Sequence, residues 1–466
     1  MSQERLLVLG AGPGGYTAAF YAADRGMKVT LVDAQDKPGG VCLHKGCIPS
    51  KALLHVAGLL GESRKAKDWG IDFGEPRIDL ERLRRWKEGV VSKMSGGLAM
   101  LCKQRGVDFV CGQAAFLNSH SIKISGKDTL DFDRCILATG SRPVLPESLG
   151  RAGSLVMDST AALELADIPP RLLVVGGGYI GLEMGTVYAA LGSRVSVVEM
   201  TDALLPGVDR DLVRPLQAKL NNEFEAIHLN TKVVSVSRKE ESASIVMEGP
   251  PGSMEETFDR VLVSVGRQPN SGDIGLENTG VELDENGFVK VGSRGWTNDP
   301  AILAIGDVTG EPMLAHQASH EARMAIEGLV EKETSSVNRV IPAVVFTDPE
   351  IAWCGLTESV AKQNAVKIDV ARFPWAASGR AQTLDRTDGT TKLILEPGSG
   401  RILGVGIVGS GAGELIAEGV LAVELGAGAG DLAHAIHPHP TLSETLMEAA
   451  DVFFGTATHI YKLPRK

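Results

Sequence analysis

Two stretches of the chain repeat one order of residues, and nothing else in it limits the possible folds as much. The first reads LLVLGAGPGGYTAAFYAADRGMKVTLVD from Leu6; the second reads LLVVGGGYIGLEMGTVYAALGSRVSVVE from Leu172. In each, an apolar run passes into G-x-G-x-x-G, then a helix of small residues, then a second apolar run ending on an acid. Gly10, Gly12, Gly15 and Asp33 have counterparts in Gly176, Gly178, Gly181 and Glu199, all offset by 166 residues. This is the dinucleotide-binding βαβ pattern: the glycines let a pyrophosphate approach a helix N-terminus, and the acid accepts hydrogen bonds from a ribose. Two such sites imply two cofactors with a hydride passing between them. A carboxylate at the second strand end repels a 2′-phosphate, so NAD is expected at the second site in preference to NADP.

The balance of 47 basic and 58 acidic residues gives a net charge of −11, which offers no clustered cations for nucleic acid. A length of 466 residues accommodates two to four domains. The uncharged run from Leu6 to Ala23 could be mistaken for a membrane span, but Gly10, Gly12, Pro13, Gly14 and Gly15 would break a spanning helix. We read it as strand, turn and helix, and expect no membrane partner and a cytoplasmic location. The six cysteines contain no C-x-x-C pair, so neither a disulfide scaffold nor a structural zinc ribbon is expected, and no metal site.

Six residues past Asp33 begins GGVCLHKGCIPSKALL, with Cys42 and Cys47 five apart. An ideal helix would separate them by roughly 7.5 Å of rise, beyond normal disulfide reach. Pairing requires a distorted turn, which Gly39, Gly40 and Gly46 permit, and a strained short-loop bridge is readily reduced. From spacing alone, a redox bridge and two unrelated buried thiols both remain open.

The cysteine segment resembles the redox-active motif of the pyridine nucleotide–disulfide oxidoreductases, and its Ile48-Pro49-Ser50-Lys51 ending is similar to that of the dihydrolipoamide dehydrogenase branch. The resemblance extends through CILATGSRP at 135–143, SVGRQPN at 264–270, LAIGDVTGEPMLAH at 303–316, VVFTDPEIAWCG at 344–355 and HPHPTLSE at 437–444. It implies an α/β fold with two Rossmann-like domains, one for FAD and one for NAD, plus a C-terminal α+β dimerisation domain. The boundaries expected are 1–147 and 269–339 for the FAD and central segments, 148–268 for NAD, and 340–466 for dimerisation. Carried over to matching positions, Cys42 is the thiol that meets substrate and Cys47 the charge-transfer thiolate against the flavin. Lys51 lies near the flavin and pairs with Glu183, Asp307 holds the ribityl chain, and the Ala315 backbone meets the pyrimidine end. Thr139, Gly140 and Gly266 complete the cofactor-binding set.

Oxidising a dithiol needs a base near neutral pH, because the thiolate is the attacking species. The resemblance assigns His439 as that base and Glu444 as the carboxylate orienting its ring, both supplied across a homodimer interface. The activity implied is oxidation of protein-bound dihydrolipoamide with NAD as acceptor. The lipoyl carrier is left open between a 2-oxoacid dehydrogenase complex, glycine cleavage and another lipoyl pathway. Glutathione-type reductases should show cations where Glu199 stands, mercuric reductases add a C-terminal cysteine pair absent after Cys354, and a noncatalytic docking subunit would have lost part of the site. Two departures from the family's usual pattern stand out: His44-Lys45 between the cysteines, where a cation could make the disulfide more oxidising, and AHQASHEAR after Leu314. The closing YKLPRK is expected to be a solvated basic tail.

Overall fold

The computed structural model describes residues 4–150, 152–330 and 340–461. Residues 462–466 of the basic tail and the junction expected at residue 339 lie outside them. Each glycine repeat sits on its own five-stranded sheet. The first sheet runs Ile302–Ala304, Arg134–Leu137, Arg5–Leu9, Lys28–Asp33, Asp108–Cys111, and the second Ala226–His228, Arg194–Val198, Arg171–Val175, Arg260–Val263, Val156–Met157. Every pairing in both is parallel. The sequence explains this: Leu6, Leu7 and Val8, like Leu172, Leu173 and Val174, are apolar without alternation and fully buried, as strands covered on both faces must be. Strand Ile302–Ala304 returns from far along the chain to the edge of the first sheet, beside Arg134–Leu137.

A third sheet is wholly antiparallel, in the order Ala343–Val345, Glu350–Gly355, Ile402–Gly409, Thr390–Leu395, Asp369–Pro374. Helices Ala412–Glu424 and Glu444–Phe454 pack against it through a core that includes Trp375, Ile407, Ile416 and Leu446. The third sheet is fastened to the second unit by a buried charge knot. Lys392, 1% exposed, donates to Asp209 at 2.7 Å, Asp211 at 2.8 Å and Glu358 at 2.8 Å. Those three carboxylates have metal-ligand spacing, but the lysine ammonium occupies the position between them. No helix among the described residues is long and apolar enough to cross a membrane.

Candidate active site

The first glycine turn is fixed by close packing. Gly10 has φ +101°, and a Cβ there would lie 2.2 Å from the Ala138 carbonyl oxygen; one on Gly15 would lie 1.7 Å from the Gly10 oxygen. Helix Pro13–Asp24 therefore starts flush against the strand end. Its Gly12 N-cap has no side chain to satisfy the first amides, which leaves them for an anion. The second turn repeats the geometry: Gly176 has φ +108° and sits under the Ser264 carbonyl, and Gly178 caps helix Tyr179–Leu191 with no side-chain bond.

The repeat extends to hydrogen bonds that the sequence reading did not assign. Asp33 Oδ2 accepts from the Ala11 amide at 2.6 Å, and Glu199 Oε2 accepts from the Gly177 amide at 2.7 Å. The second oxygens accept from the Gln35 and Thr201 amides, both at 2.8 Å. Each acid thus moors its own glycine turn. The lone pairs left on each carboxylate are what a ribose could use.

A cavity of about 580 Å³ opens above the first turn, and it brings together most of the expected residues. Gly10, Gly12, Asp33, Cys42, Cys47, Lys51, Thr139, Gly140, Glu183, Asp307 and Ala315 all line it. Gly15 packs beneath it, against the Gly10 carbonyl. Gly176, Gly178, Gly181, Glu199 and Gly266 are not in its wall, nor are His439 and Glu444. Helix Tyr179–Leu191 of the second repeat nevertheless reaches this cavity through Tyr179 and Glu183.

The cysteine spacing is resolved by a helix break. Gly40–Lys45 and Cys47–Lys65 are separate helices meeting at Gly46, where a Cβ would press to 3.0 Å on the Val41 oxygen and 3.3 Å on the Cys42 Cα. The two thiols are free and hydrogen-bond to each other. That bond and burial raise the Cys42 thiol, whereas the same bond, aided by Lys51, lowers Cys47 against the opposing effects of burial and Glu183. The pair is polarised, with Cys47 as the thiolate side.

Lys51 itself is held. Its Nζ donates to Glu183 Oε2 at 2.8 Å and lies 4.5 Å from the Phe346 ring centroid. Glu183 also accepts from the Ser50 hydroxyl at 2.9 Å and the Phe346 amide at 3.0 Å, so one buried carboxylate joins the cysteine helix, the second repeat and the third sheet. The cation acting on Cys47 is this lysine, not Lys45; His44, for its part, turns its Nε2 toward the Pro38 carbonyl at 3.2 Å. Lys51→Met should therefore shift the pH at which the Cys47 thiolate forms upward, while Lys45→Val leaves it in place. Thiolate absorbance followed against pH in the reduced protein checks this, and a shift with Lys45→Val alone would overturn it.

Asp307 is backed by Ser141 and Arg267, which lie in the CILATGSRP and SVGRQPN motifs but carry no expected role of their own. Ser141 donates to Asp307 Oδ2 at 2.6 Å, and Arg267 reaches the Ser141 hydroxyl at 2.7 Å and its carbonyl at 2.8 Å. Gly266 precedes this arginine at φ +137°, in a two-stranded ribbon pairing Arg267–Pro269 with Ser141–Pro143. Thr139 Oγ1 is buried at the cavity wall without a hydrogen-bond partner among the described residues. An orphaned hydroxyl, glycines that admit no Cβ and an uncapped helix start together fit a bound dinucleotide.

His439 and Glu444 form a pair of their own: Nδ1 lies 2.9 Å from Glu444 Oε1, and the Thr441 amide donates to Oε2 at 2.7 Å. Partial burial opposes the Glu444 charge, yet the Thr441 amide and the His439 ring hold its carboxyl below the usual range. The His439 side chain is 72% exposed, outside the cavity. Within one chain the dyad is built but not joined to the cysteines.

The chain has counterparts among known proteins. The pyridine nucleotide-disulphide oxidoreductase model matches residues 4–322, and the model for that family's dimerisation domain matches residues 341–450. Dihydrolipoyl dehydrogenase of Vibrio parahaemolyticus is 46% identical, over 99% of this chain and 98% of its own length. That of Bacillus subtilis is 42% identical, over 98% and 97%. Among solved structures, LpdA from Mycobacterium tuberculosis superposes with a TM-score of 0.88 at 28% identity, covering 96% of this chain and 99% of its own. The HOCl-induced flavoprotein disulfide reductase RclA from Escherichia coli gives 0.86 at 28% identity, covering 97% and 99%. With one family model matched over residues 4–322, its dimerisation model over 341–450, and a relative 46% identical over 99% of this sequence, the chain belongs to the pyridine nucleotide-disulphide oxidoreductase family.

Proposed function

We propose that the chain is a dihydrolipoyl dehydrogenase that uses FAD and NAD and works as a homodimer. The single observation carrying this is the polarised Cys42–Cys47 pair in the wall of the glycine-cradled cavity. We divide the chain as its motifs suggest: 1–147 with 269–339 for the flavin nucleotide, 148–268 for NAD, and 340–466 for dimerisation. Gly10, Gly12, Gly15, Asp33, Thr139, Gly140, Asp307 and Ala315 would hold FAD, and Gly176, Gly178, Gly181, Glu199 and Gly266 would serve NAD. When bound, FAD supplies a two-electron relay and NAD the final hydride acceptor.

The chain's own groups do the rest. His439 of a second copy takes a proton from a substrate thiol, with Glu444 fixing which ring nitrogen is free. The substrate sulfur attacks Cys42 in the oxidised pair, forming a mixed disulfide as the Cys42–Cys47 bond breaks. Cys47 leaves as a thiolate, stabilised by Lys51. The second substrate thiol attacks the substrate sulfur of the mixed disulfide, closing the cyclic product and releasing Cys42. Two electrons now reside on the cysteine pair. The substrate is the dihydrolipoyl group of a lipoylated carrier protein; a 2-oxoacid dehydrogenase complex, glycine cleavage or another lipoyl pathway could supply it.

Steady-state oxidation of dihydrolipoamide by the purified flavoprotein tests the reading. Turnover with NAD well above that with NADP is expected. No turnover from a flavin-loaded dimer, or a preference for NADP, would overturn it.

A further inference from the structure

The HPHP segment contains two histidines, and the proposed chemistry uses only His439. The other one is tied just as specifically. His437 Nε2 lies 2.8 Å from Glu418 Oε1, its Nδ1 lies 3.0 Å from the Ala435 carbonyl, and its side chain is 7% exposed. Its neighbours behave in the opposite way: Ile436 is 99% exposed and the His439 side chain 72%. Residues 435–443 form neither helix nor strand between helices Ala429–His434 and Glu444–Phe454. Among the described residues, 436–440 is tied to the rest of the chain by the side chains of His437 and His439 and, on its C-terminal side, by the Thr441 hydroxyl, which donates to the Pro438 carbonyl at 2.7 Å.

A base projecting from such a segment needs its backbone held, because misplacing a reacting group by about 1 Å costs about 10²-fold in rate. Glu444 can orient the His439 ring but cannot fix the chain on its N-terminal side. Glu418 can, since it lies inside helix Ala412–Glu424, which packs on the third sheet, and a carboxylate acceptor makes the bond charge-assisted.

We infer that the His437–Glu418 pair is a positioning device: it pins the His439 loop to helix Ala412–Glu424, so that the base is presented at a set place beyond its own chain. The inference rests on the dihydrolipoyl dehydrogenase reading for its effect on catalysis, but the anchoring stands on geometry.

The test uses the flavin-loaded dimer and the variants His437→Ala, Glu418→Gln and their combination, with three measurements. The first is dihydrolipoamide oxidation by NAD. The second is reduction of ferricyanide by NADH, which bypasses the thiol base. The third is amide hydrogen exchange across 436–441. Each single change should lower kcat with dihydrolipoamide about tenfold, leave KM for NAD nearly unaltered, and combine with the other without a further loss. Ferricyanide reduction should persist, and exchange should quicken in the loop alone. His437→Gln, which keeps a donor for Glu418, should restore part of the rate. Multiplying losses, unaltered loop exchange, or equal loss of both activities would overturn the inference. If His437→Ala fails to assemble, Glu418→Gln decides alone, being the same shape with the acceptor charge removed. A wild-type enzyme inactive with dihydrolipoamide would refute the functional reading, while loop exchange would still decide the anchor.

Discussion

Cys42→Ser and Cys47→Ser should each abolish dihydrolipoamide oxidation, with losses of about 10⁴-fold or more, the scale on which removal of a reacting nucleophile is felt. The reason is stoichiometric: a serine cannot form the S–S bond that receives two electrons, so no partial pathway survives. The two variants should differ in colour. Cys42→Ser leaves Cys47 beside Lys51, a cation that helps to lower it, so a thiolate-to-flavin absorption band should appear in the oxidised protein at neutral pH. It should fade as the pH is lowered and that thiolate takes up a proton. Cys47→Ser should show no such band. A band in Cys47→Ser and none in Cys42→Ser would exchange the roles of the two sulfurs.

His439→Gln should reduce the same turnover by about 10²–10⁴-fold, the usual worth of a general base, while NADH-driven reduction of ferricyanide continues. Glu444→Gln should lose less, because it leaves the ring in place without its orienting charge. Mixed dimers give the sharpest result. A Cys42→Ser subunit paired with a His439→Gln subunit holds one intact cysteine pair and one intact base on opposite chains. If the site is shared, activity returns on mixing two inactive proteins. If it lies within one chain, nothing returns.

What could be read without coordinates was what the backbone demands locally. A strand that must turn sharply into a helix leaves glycine at fixed intervals, and Gly10 and Gly176 show why, since each sits under a carbonyl that excludes any side chain. The break between the cysteines was legible for the same reason: Gly46 stands where two helices meet. Contacts closed over long separations were not legible from spacing; Lys51 with Glu183 was expected only through the resemblance. Arg267 backs Asp307 through Ser141, 126 residues away in sequence, and the amide of Phe346 completes Glu183 across 163 residues. No spacing rule carries such information. Lys392 is a clearer case still, a fully buried cation in a strand whose three acidic partners come from two distant segments. Lys45 stands out by sequence adjacency alone, whereas the cation bearing on the Cys47 thiol is Lys51, which no adjacency rule points to.

The mooring of each glycine turn by its own acid bears on any attempt to redesign coenzyme preference. Exchanging Glu199 for arginine to welcome a phosphorylated ribose would also strip the acceptor from the Gly177 and Thr201 amides, two donors at 2.7 and 2.8 Å. Such a variant would lose affinity for both coenzymes until a new acceptor was installed for the loop, so selectivity there is engineered as a pair of substitutions rather than one.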